Sequence, residues 1–438
     1  MEWWIWGLWI FSVFFVLLVT NMPVAFVFGL LNMSALIVYS GGQLGILSLL
    51  ASSAYESVST LQYSAIPLFT LMGGVLYETG LVEMMYLGLG RIIGKVPGRL
   101  AVIGVAAGTV FGAASGSSTA SVATIGSSLG PEMTKRRYSK WLAFGSITAT
   151  GGLAAVIPPS NLMIIFGGVA GLPIGQLLIG GLVPGLLMAF LITVFIVVVA
   201  VVWPGVAPEY EIEGGRGLAE QLRTLADFVP VALVITSVLG SIFVGLATPS
   251  EAAAVGALAA FLLSGIYGRL TVTAVKRAVM SSLNITCLAF LIITTALVFS
   301  QVLALTGIAS GLTRAFVGLS VEPLIVMLLM NLVVLVMGMM MDPVSIILVI
   351  VPIFMPIAVE LEFDVMWWAL IMMVNIEIAL ISPPFGLNLF VAQGIAPEGT
   401  SLTDIYRWVI PFVLIEVVVI AIMILWPPLT TWLPNLVG

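Results

Sequence analysis

The chain is 438 residues long, 61% apolar and only 8% charged, with a mean hydropathy of +1.24 and a formal net charge of −6. Soluble domains carry about 25% charged residues, so this composition excludes a water-soluble fold and predicts an all-α polytopic membrane protein. The absence of histidine removes the commonest metal ligand and general base, and there is no basic tail for nucleic acid.

At about 20 apolar residues per crossing, the chain provides about 11–12 membrane segments. The first, MEWWIWGLWIFSVFFVLLV, lacks the basic start and small-residue cleavage site of a signal peptide. Trp3, Trp4, Trp6 and Trp9 read as an interfacial belt at the mouth of a first helix. Thr20 and Asn21 ahead of Pro23 mark a helix break. Arg91, Lys95 and Arg99 then precede a 32-residue stretch without charge, 100–131, and Lys135, Arg136, Arg137 and Lys140 follow it. Short loops rich in Lys and Arg stay in the cytoplasm, so both ends of this stretch lie on one side. A single spanning helix would put them on opposite sides. The stretch is therefore predicted to be a re-entrant helical hairpin that enters along 100–114, turns at SGSS and returns to Pro131.

From Trp141 to Pro208 there is no charge over 68 residues, and VIPPSN interrupts the run. Proline removes a backbone donor and clashes with the preceding turn, which predicts a discontinuous helix over 141–169. Residues 206–227, carrying Glu209, Glu211, Glu213, Arg216, Glu220, Arg223 and Asp227, form a polar cytoplasmic connector. Cys287, the one cysteine, lies in an apolar segment and is assigned to packing.

The sequence also repeats itself across the connector. Pro158 and Pro159 match Pro383 and Pro384 at an offset of 225, Pro131 matches Pro356, and Ser117 and Ser118 match Asp342 and Pro343. Offsets of 226 and 227 match Pro23 with Pro249 and ETGL at Glu78 with LTGI at Leu305. Residues 1–205 become a first repeat and 228–438 a second, with a hairpin over 323–359 and a discontinuous helix over 366–396. The second hairpin is flanked by Glu322, Glu360, Glu362 and Asp364 and by no basic residue, while Arg269, Lys276 and Arg277 fall one helix earlier. Equal pattern with opposite sidedness defines an inverted-topology repeat, an architecture of secondary transporters.

A re-entrant turn frees backbone polar groups at mid-membrane depth, where they must be buried in protein or line a wet cavity. At the first tip Gly116 allows tight turning, and Ser115, Ser117, Ser118 and Thr119 add hydroxyl oxygens without formal charge. Hard cations take oxygen ligands; without carboxylates this tip suits sodium and not calcium or magnesium. Pro158, Ser160 and Asn161 mark the facing break. The second tip carries Asp342, opposed by Ser382, Pro383, Gly386 and Asn388, with Asn375 and Glu377 ahead of the break. Two pseudo-symmetric ion sites are expected. The competing readings are that the small residues only pack helices closely, and that Asp342 only caps freed N–H groups. An intramembrane enzyme would need a nucleophile–base pair or a metal site, and the sequence offers no such constellation.

The strings GSSTASVATIGSSLGPEM, GGLAAVIPPSNLMIIFGG, GLATPSEAAAVGA, GMMMDPVSIILVIVPIFMPIA and VNIEIALISPPFGLNLFVAQGIAP occur in this order across nearly the whole chain. They resemble the signatures of the large membrane subunit of tripartite ATP-independent periplasmic (TRAP) transporters. The resemblance implies an elevator-type transporter of the ion-transporter superfamily that imports a small organic anion, a carboxylate, with sodium as coupling ion and no other cofactor. It implies a periplasmic solute-binding protein that delivers the anion, a separate small four-helix membrane subunit, and residence in the cytoplasmic (inner) membrane. Carried over residue by residue, it implies a first sodium site at Ser115, Gly116, Ser117, Ser118, Thr119, Pro158, Ser160 and Asn161. The second falls on Met341, Asp342, Ser345, Asn375, Ser382, Pro383, Gly386 and Asn388. Substrate is expected between the tips, at Ser117, Ser118, Asn161, Pro343 and Asn388. The sequence departs from relatives at MTKRRYSKW, where Arg137-Tyr138 replaces a commoner Gly-Tyr pair, with no functional consequence expected. A stand-alone sodium–dicarboxylate symporter, working without a binding protein, is the alternative.

Overall fold

The computed structural model describes residues 2–20, 22–85, 93–208, 218–318, 321–339 and 341–436, without the side chains of 18, 44, 47, 114, 115, 218–227, 316 and 317. Asn21, Arg91 and the charged side chains of the connector lie outside the described residues. Among the described residues there are helices and no strands. Five helices are long and apolar enough to cross a membrane: Ile174–Val202, Pro249–Ile266, Val272–Leu305, Pro343–Glu360 and Leu402–Leu425. Other apolar helices have 10–17 residues. At 1.5 Å per residue a 15-residue helix rises ~22 Å, short of the ~30 Å hydrocarbon core. Counting every apolar segment as a full crossing therefore overstates the number of intact spans.

The first uncharged stretch forms two helices, Arg99–Ser115 and Ser118–Lys135, which pack on each other across a break at Gly116 and Ser117. Pro131 does not end the second arm; it lies inside the helix, which continues to Lys135. The first discontinuous segment consists of Lys140–Val156 and Asn161–Ala170, bent by 43°. In the second half the counterparts are Pro323–Gly338 with Pro343–Glu360, and Val365–Ile381 with Leu387–Ile395. Leu218–Phe243 begins inside the expected connector.

Backbone detail repeats along with the elements. The starts Ser118 and Pro343, and Lys140 and Val365, are 225 residues apart. Cis bonds occur at Pro158-Pro159 and Pro383-Pro384. Arg137 (φ 58°) and Glu362 (φ 56°), the described non-glycine residues with positive φ, are also 225 apart. Each is followed by the same closing bond: Tyr138 N–H to Met133 O and Phe363 N–H to Ala358 O, both 3.0 Å. At Arg137 a glycine would enter the left-handed region without a Cβ penalty. Arg137→Gly is expected to stabilise the protein by up to about 1 kcal/mol, net of glycine's greater chain entropy. A thermal melt of the purified variant checks this, and an unchanged or lower midpoint would count against strain at that turn.

Two helices form the centre: every residue from Leu142 to Val156 and from Trp367 to Ile381 is buried. They pack together, and the short helix after each break packs on the hairpin of the opposite half. Asn161–Ala170 lies on Pro343–Glu360, and Leu387–Ile395 lies on Ser118–Lys135. Small residues make this interlock possible. A Cβ on Gly126 would fall 1.8 Å from Ile395 Cδ1, and one on Gly112 would fall 2.8 Å from Ala154 Cα. Outside this core, Ala65–Glu78 is held by hydroxyls to Val272–Leu305 and Pro249–Ile266. Thr70 Oγ1 and Ser282 Oγ are 2.8 Å apart, and Ser264 Oγ donates to Thr79 Oγ1 at 3.1 Å. Such interhelical bonds and small-residue contacts replace the hydrophobic drive that lipid does not supply.

Candidate ion and substrate site

The first tip is built by a change of backbone handedness. Gly116 closes the entering helix at φ 61°, its N–H donating to Gly112 O at 2.8 Å. Ser117 starts the returning helix, its hydroxyl accepting the Ala120 N–H at 3.4 Å and lying 3.3 Å from Thr119 Oγ1. The turn is set against the first break: a Cβ on Gly116 would lie 3.0 Å from Asn161 Nδ2 and 3.4 Å from Asn161 N. Ser160 caps the helix after the break, accepting the Met163 N–H at 3.3 Å and donating to Ala155 O at 2.6 Å. Pro158 is buried in the same break. The structure thus brings Gly116, Ser117, Thr119 and Asn161 together, while the Ser160 hydroxyl is committed to closing the break. The Ser115 side chain lies outside the described residues.

At the second tip Met341 N–H donates to Met337 O at 2.9 Å. Asp342 caps Pro343–Glu360: its Oδ1 accepts the N–H groups of Val344 and Ser345, both at 3.1 Å, and the Ser345 hydroxyl donates to Oδ2. Pro343 occupies the first helical position, where a missing N–H costs nothing. In the second break Ser382 Oγ donates to Ile378 O at 2.7 Å and Gly386 N–H donates to Ser382 O at 3.2 Å. Pro383 lies between them, half-buried. Gly386 is required there, since a Cβ would fall 2.4 Å from Leu380 O. Asn388 is fully buried and neither of its amide atoms has a partner. An unsatisfied buried polar group costs about 1–3 kcal/mol, so Asn388 has hydrogen-bonding capacity that its neighbours leave unused.

Asn375 does not join this group. Its Nδ2 donates to Asn331 O at 2.7 Å and Oδ1 at 3.0 Å, about two turns before the tip end of Pro323–Gly338. Its helix turns that face toward the entering arm and not toward the break. Ser118 is likewise engaged elsewhere: its hydroxyl donates to Glu377 Oε2 at 3.2 Å, tying the first hairpin to the helix ahead of the second break. Glu377 is fully buried, with Oε1 pressed against Gly152, where a Cβ would fall 1.7 Å away. Glu416, buried in Leu402–Leu425 with both oxygens unpartnered, was not reached by sequence reasoning. The signal was present, since a carboxylate within an apolar run of Val and Ile is a functional-site hypothesis by default.

A cavity of about 310 Å³ runs beside the first hairpin, lined by Tyr77, Glu78, Glu83, Phe111, Thr124 and Ser128. Two carboxylates in its wall disfavour an anionic occupant.

Known proteins are similar to this chain in sequence or in fold. The sequence profile of the family described as "Tripartite ATP-independent periplasmic transporter, DctM component" matches residues 11–429. The chain is 30% identical to the C4-dicarboxylate TRAP transporter large permease protein DctM of Rhodobacter capsulatus, over 98% of this chain and 99% of that one. It is 27% identical to the isethionate TRAP transporter permease protein DctMQ of Oleidesulfovibrio alaskensis, over 97% of this chain and 65% of that one. Among solved structures, the YdaH transporter of Alcanivorax borkumensis aligns with a TM-score of 0.62 at 13% identity, covering 93% of this chain and 99% of that one. That likeness is one of fold.

Proposed function

The chain belongs to the DctM family, the large permease component of TRAP transporters and not an enzyme, and from this premise we propose that it imports a small organic anion together with sodium. Relatives are named for a C4-dicarboxylate and for isethionate, which are both small organic anions. In this reading a periplasmic solute-binding protein delivers the anion to a complex of this chain and a separate small four-helix subunit in the inner membrane.

The observation that supports it best is the contact of Gly116 with Asn161. It sets the N-termini of Ser118–Lys135 and Asn161–Ala170 side by side at a turn without charged side chains. Helix N-termini carry positive partial charge, which suits a carboxylate or sulfonate. Freed carbonyls and the hydroxyls of Ser117 and Thr119 suit a sodium ion. At the second break Asn388 and the Asp342–Ser345 cap are the corresponding groups. The two tips would dip from opposite membrane faces, with substrate between them. The interlocked hairpins and broken helices would move as one body against the hydroxyl-bonded frame of Ala65–Glu78, Pro249–Ile266 and Val272–Leu305. One charge crossing 100 mV is worth about 2.3 kcal/mol, so several sodium ions with one anion couple uptake to both gradient and potential. Sodium would order the tips and so populate the substrate-competent state.

Reconstituted vesicles test this. With saturating binding protein outside, an inward sodium gradient is expected to drive accumulation of the anion, and dissipating the gradient is expected to stop it. Equal uptake in both conditions would remove sodium from the mechanism. Ser117→Ala and Asn388→Ala are each expected to raise the sodium concentration for half-maximal uptake; a residue whose replacement leaves that value unchanged is not a ligand. The stand-alone symporter is not favoured by family membership, and uptake without any binding protein would revive it.

A further inference from the structure

We propose that Tyr63 is a latch between the frame and the moving body: its bond to Gly168 holds the conformation seen here and breaks each time the body moves. The proposal rests on the import reading, which supplies that motion.

Tyr63 belongs to the frame. It lies in the turn Leu61–Ser64, which leads directly into Ala65–Glu78. Its N–H donates to Thr60 O at 3.1 Å, and Ser250 Oγ, at the start of Pro249–Ile266, donates to Leu61 O at 3.0 Å. Gly168 belongs to the body. It lies in Asn161–Ala170, the short helix after the first break. Tyr63 is buried, and its hydroxyl donates to Gly168 O at 3.0 Å. That carbonyl is open to an outside donor because it falls in the last turn of its helix, where intrahelical N–H groups run out. Its backbone alternative, the Gly171 N–H, lies at 3.4 Å. The ring rests on the glycine itself. A Cβ at 168 would fall 2.2 Å from Tyr63 Cε1, 3.1 Å from Cδ1 and 3.2 Å from Cζ.

The two halves differ at this point. Asn161–Ala170 packs on Leu61–Ser64, Ala65–Glu78 and Val272–Leu305, all of the frame. Its counterpart Leu387–Ile395 packs on Ser118–Lys135, Lys140–Val156, Val365–Ile381 and Leu402–Leu425, which are outside the frame. At the repeat offset of 225 Gly168 corresponds to Gln393, and at the 227 that relates Glu78 to Leu305 Tyr63 corresponds to Phe290. Phenylalanine keeps the ring and has no hydroxyl to donate. Beside Gln393, a Cβ on Gly394 would meet nothing within 4 Å. In an inverted repeat the two short helices are equivalent in fold, and alternating access moves one set of elements against the other. A body at mid-travel would engage the frame equally with both. Here one short helix is docked and the other is open, so the body stands toward one end of its travel. The hydroxyl, present on one side alone, favours that end.

The experiment uses the full chain in lipid, with nitroxides on Cys287 and on Gly394→Cys, and reads their separation by pulsed electron paramagnetic resonance. Cys287, the single cysteine, is exposed on Val272–Leu305 of the frame, and position 394 has room for a side chain. In this labelled reference one distance is expected to dominate over a minor second one. Tyr63→Phe keeps the ring and deletes the donor. It should raise the ratio of second to first distance about fivefold, the weight of one typical hydrogen bond. Gly168→Ala drives a methyl into the ring and should raise the ratio further. A Tyr63 that served only for packing would leave the ratio unmoved in Tyr63→Phe. An unmoved ratio in that variant overturns the proposal, even where Gly168→Ala fails to fold. Two distances with an unmoved ratio remove the latch and leave the import reading standing. A single distance in the reference and in both variants overturns the latch and the moving body together.

Discussion

Gly152→Ala is expected to abolish uptake and to destabilise the purified protein by about 3 kcal/mol, the upper range for overpacking a core. In an ordinary helix interior the same change stabilises by up to about 1 kcal/mol, so the predicted sign is reversed by one contact. The new methyl would lie 1.7 Å from Glu377 Oε1, 2.3 Å from Cδ and 2.8 Å from Cγ. Glu377 has no free direction in which to retreat: its helix is buried from Trp367 to Ile381 and its other oxygen holds Ser118. Relief would have to come from separating the two central helices, which would loosen the first hairpin. A melting curve and an uptake assay measure the effect. Glu377→Ala empties the space, so Gly152→Ala in that background is expected to be nearly neutral. Equal damage in both backgrounds would show that the contact is not the cause.

Asp342 calls for a pair of substitutions, because one carboxylate serves as helix cap and is proposed as sodium ligand. Asp342→Ala removes the acceptor for two N–H groups and one hydroxyl and is expected to cost about 1–2 kcal/mol, as lost N-caps do. Asn retains a carbonyl oxygen for those N–H groups while deleting the charge. Asp342→Asn is therefore expected to melt close to the unmodified protein, yet to need about tenfold more sodium for half-maximal uptake, equivalent to ~1.4 kcal/mol of ion binding. Unmodified sodium dependence in Asp342→Asn would leave Asp342 as a cap alone.

The amino-acid sequence by itself determined the membrane class, the helix breaks at the two predicted tips, the two proline breaks and the repeat offset. These are local or periodic features. A loss of apolar periodicity at SGSS, or two prolines in an apolar run, breaks a helix wherever that helix lies. The return of Pro-Pro after 225 residues is visible without knowing what either copy touches. The left-handed turn at Arg137 was half legible, as a departure from Gly whose meaning became clear from its φ.

Only the tertiary structure decided which polar groups are occupied and which are open. Asn375 and Asn388 look alike in sequence, yet one is bound to Asn331 and the other has no partner. Ser118 meets Glu377 across 259 residues. Such contacts depend on how each helix is rotated about its axis and where helices cross. Periodicity constrains that rotation only when one face is polar. Here the central helices have no solvent-exposed polar face and are buried from Leu142 to Val156 and from Trp367 to Ile381, so their rotation is set by packing and by single buried polar contacts.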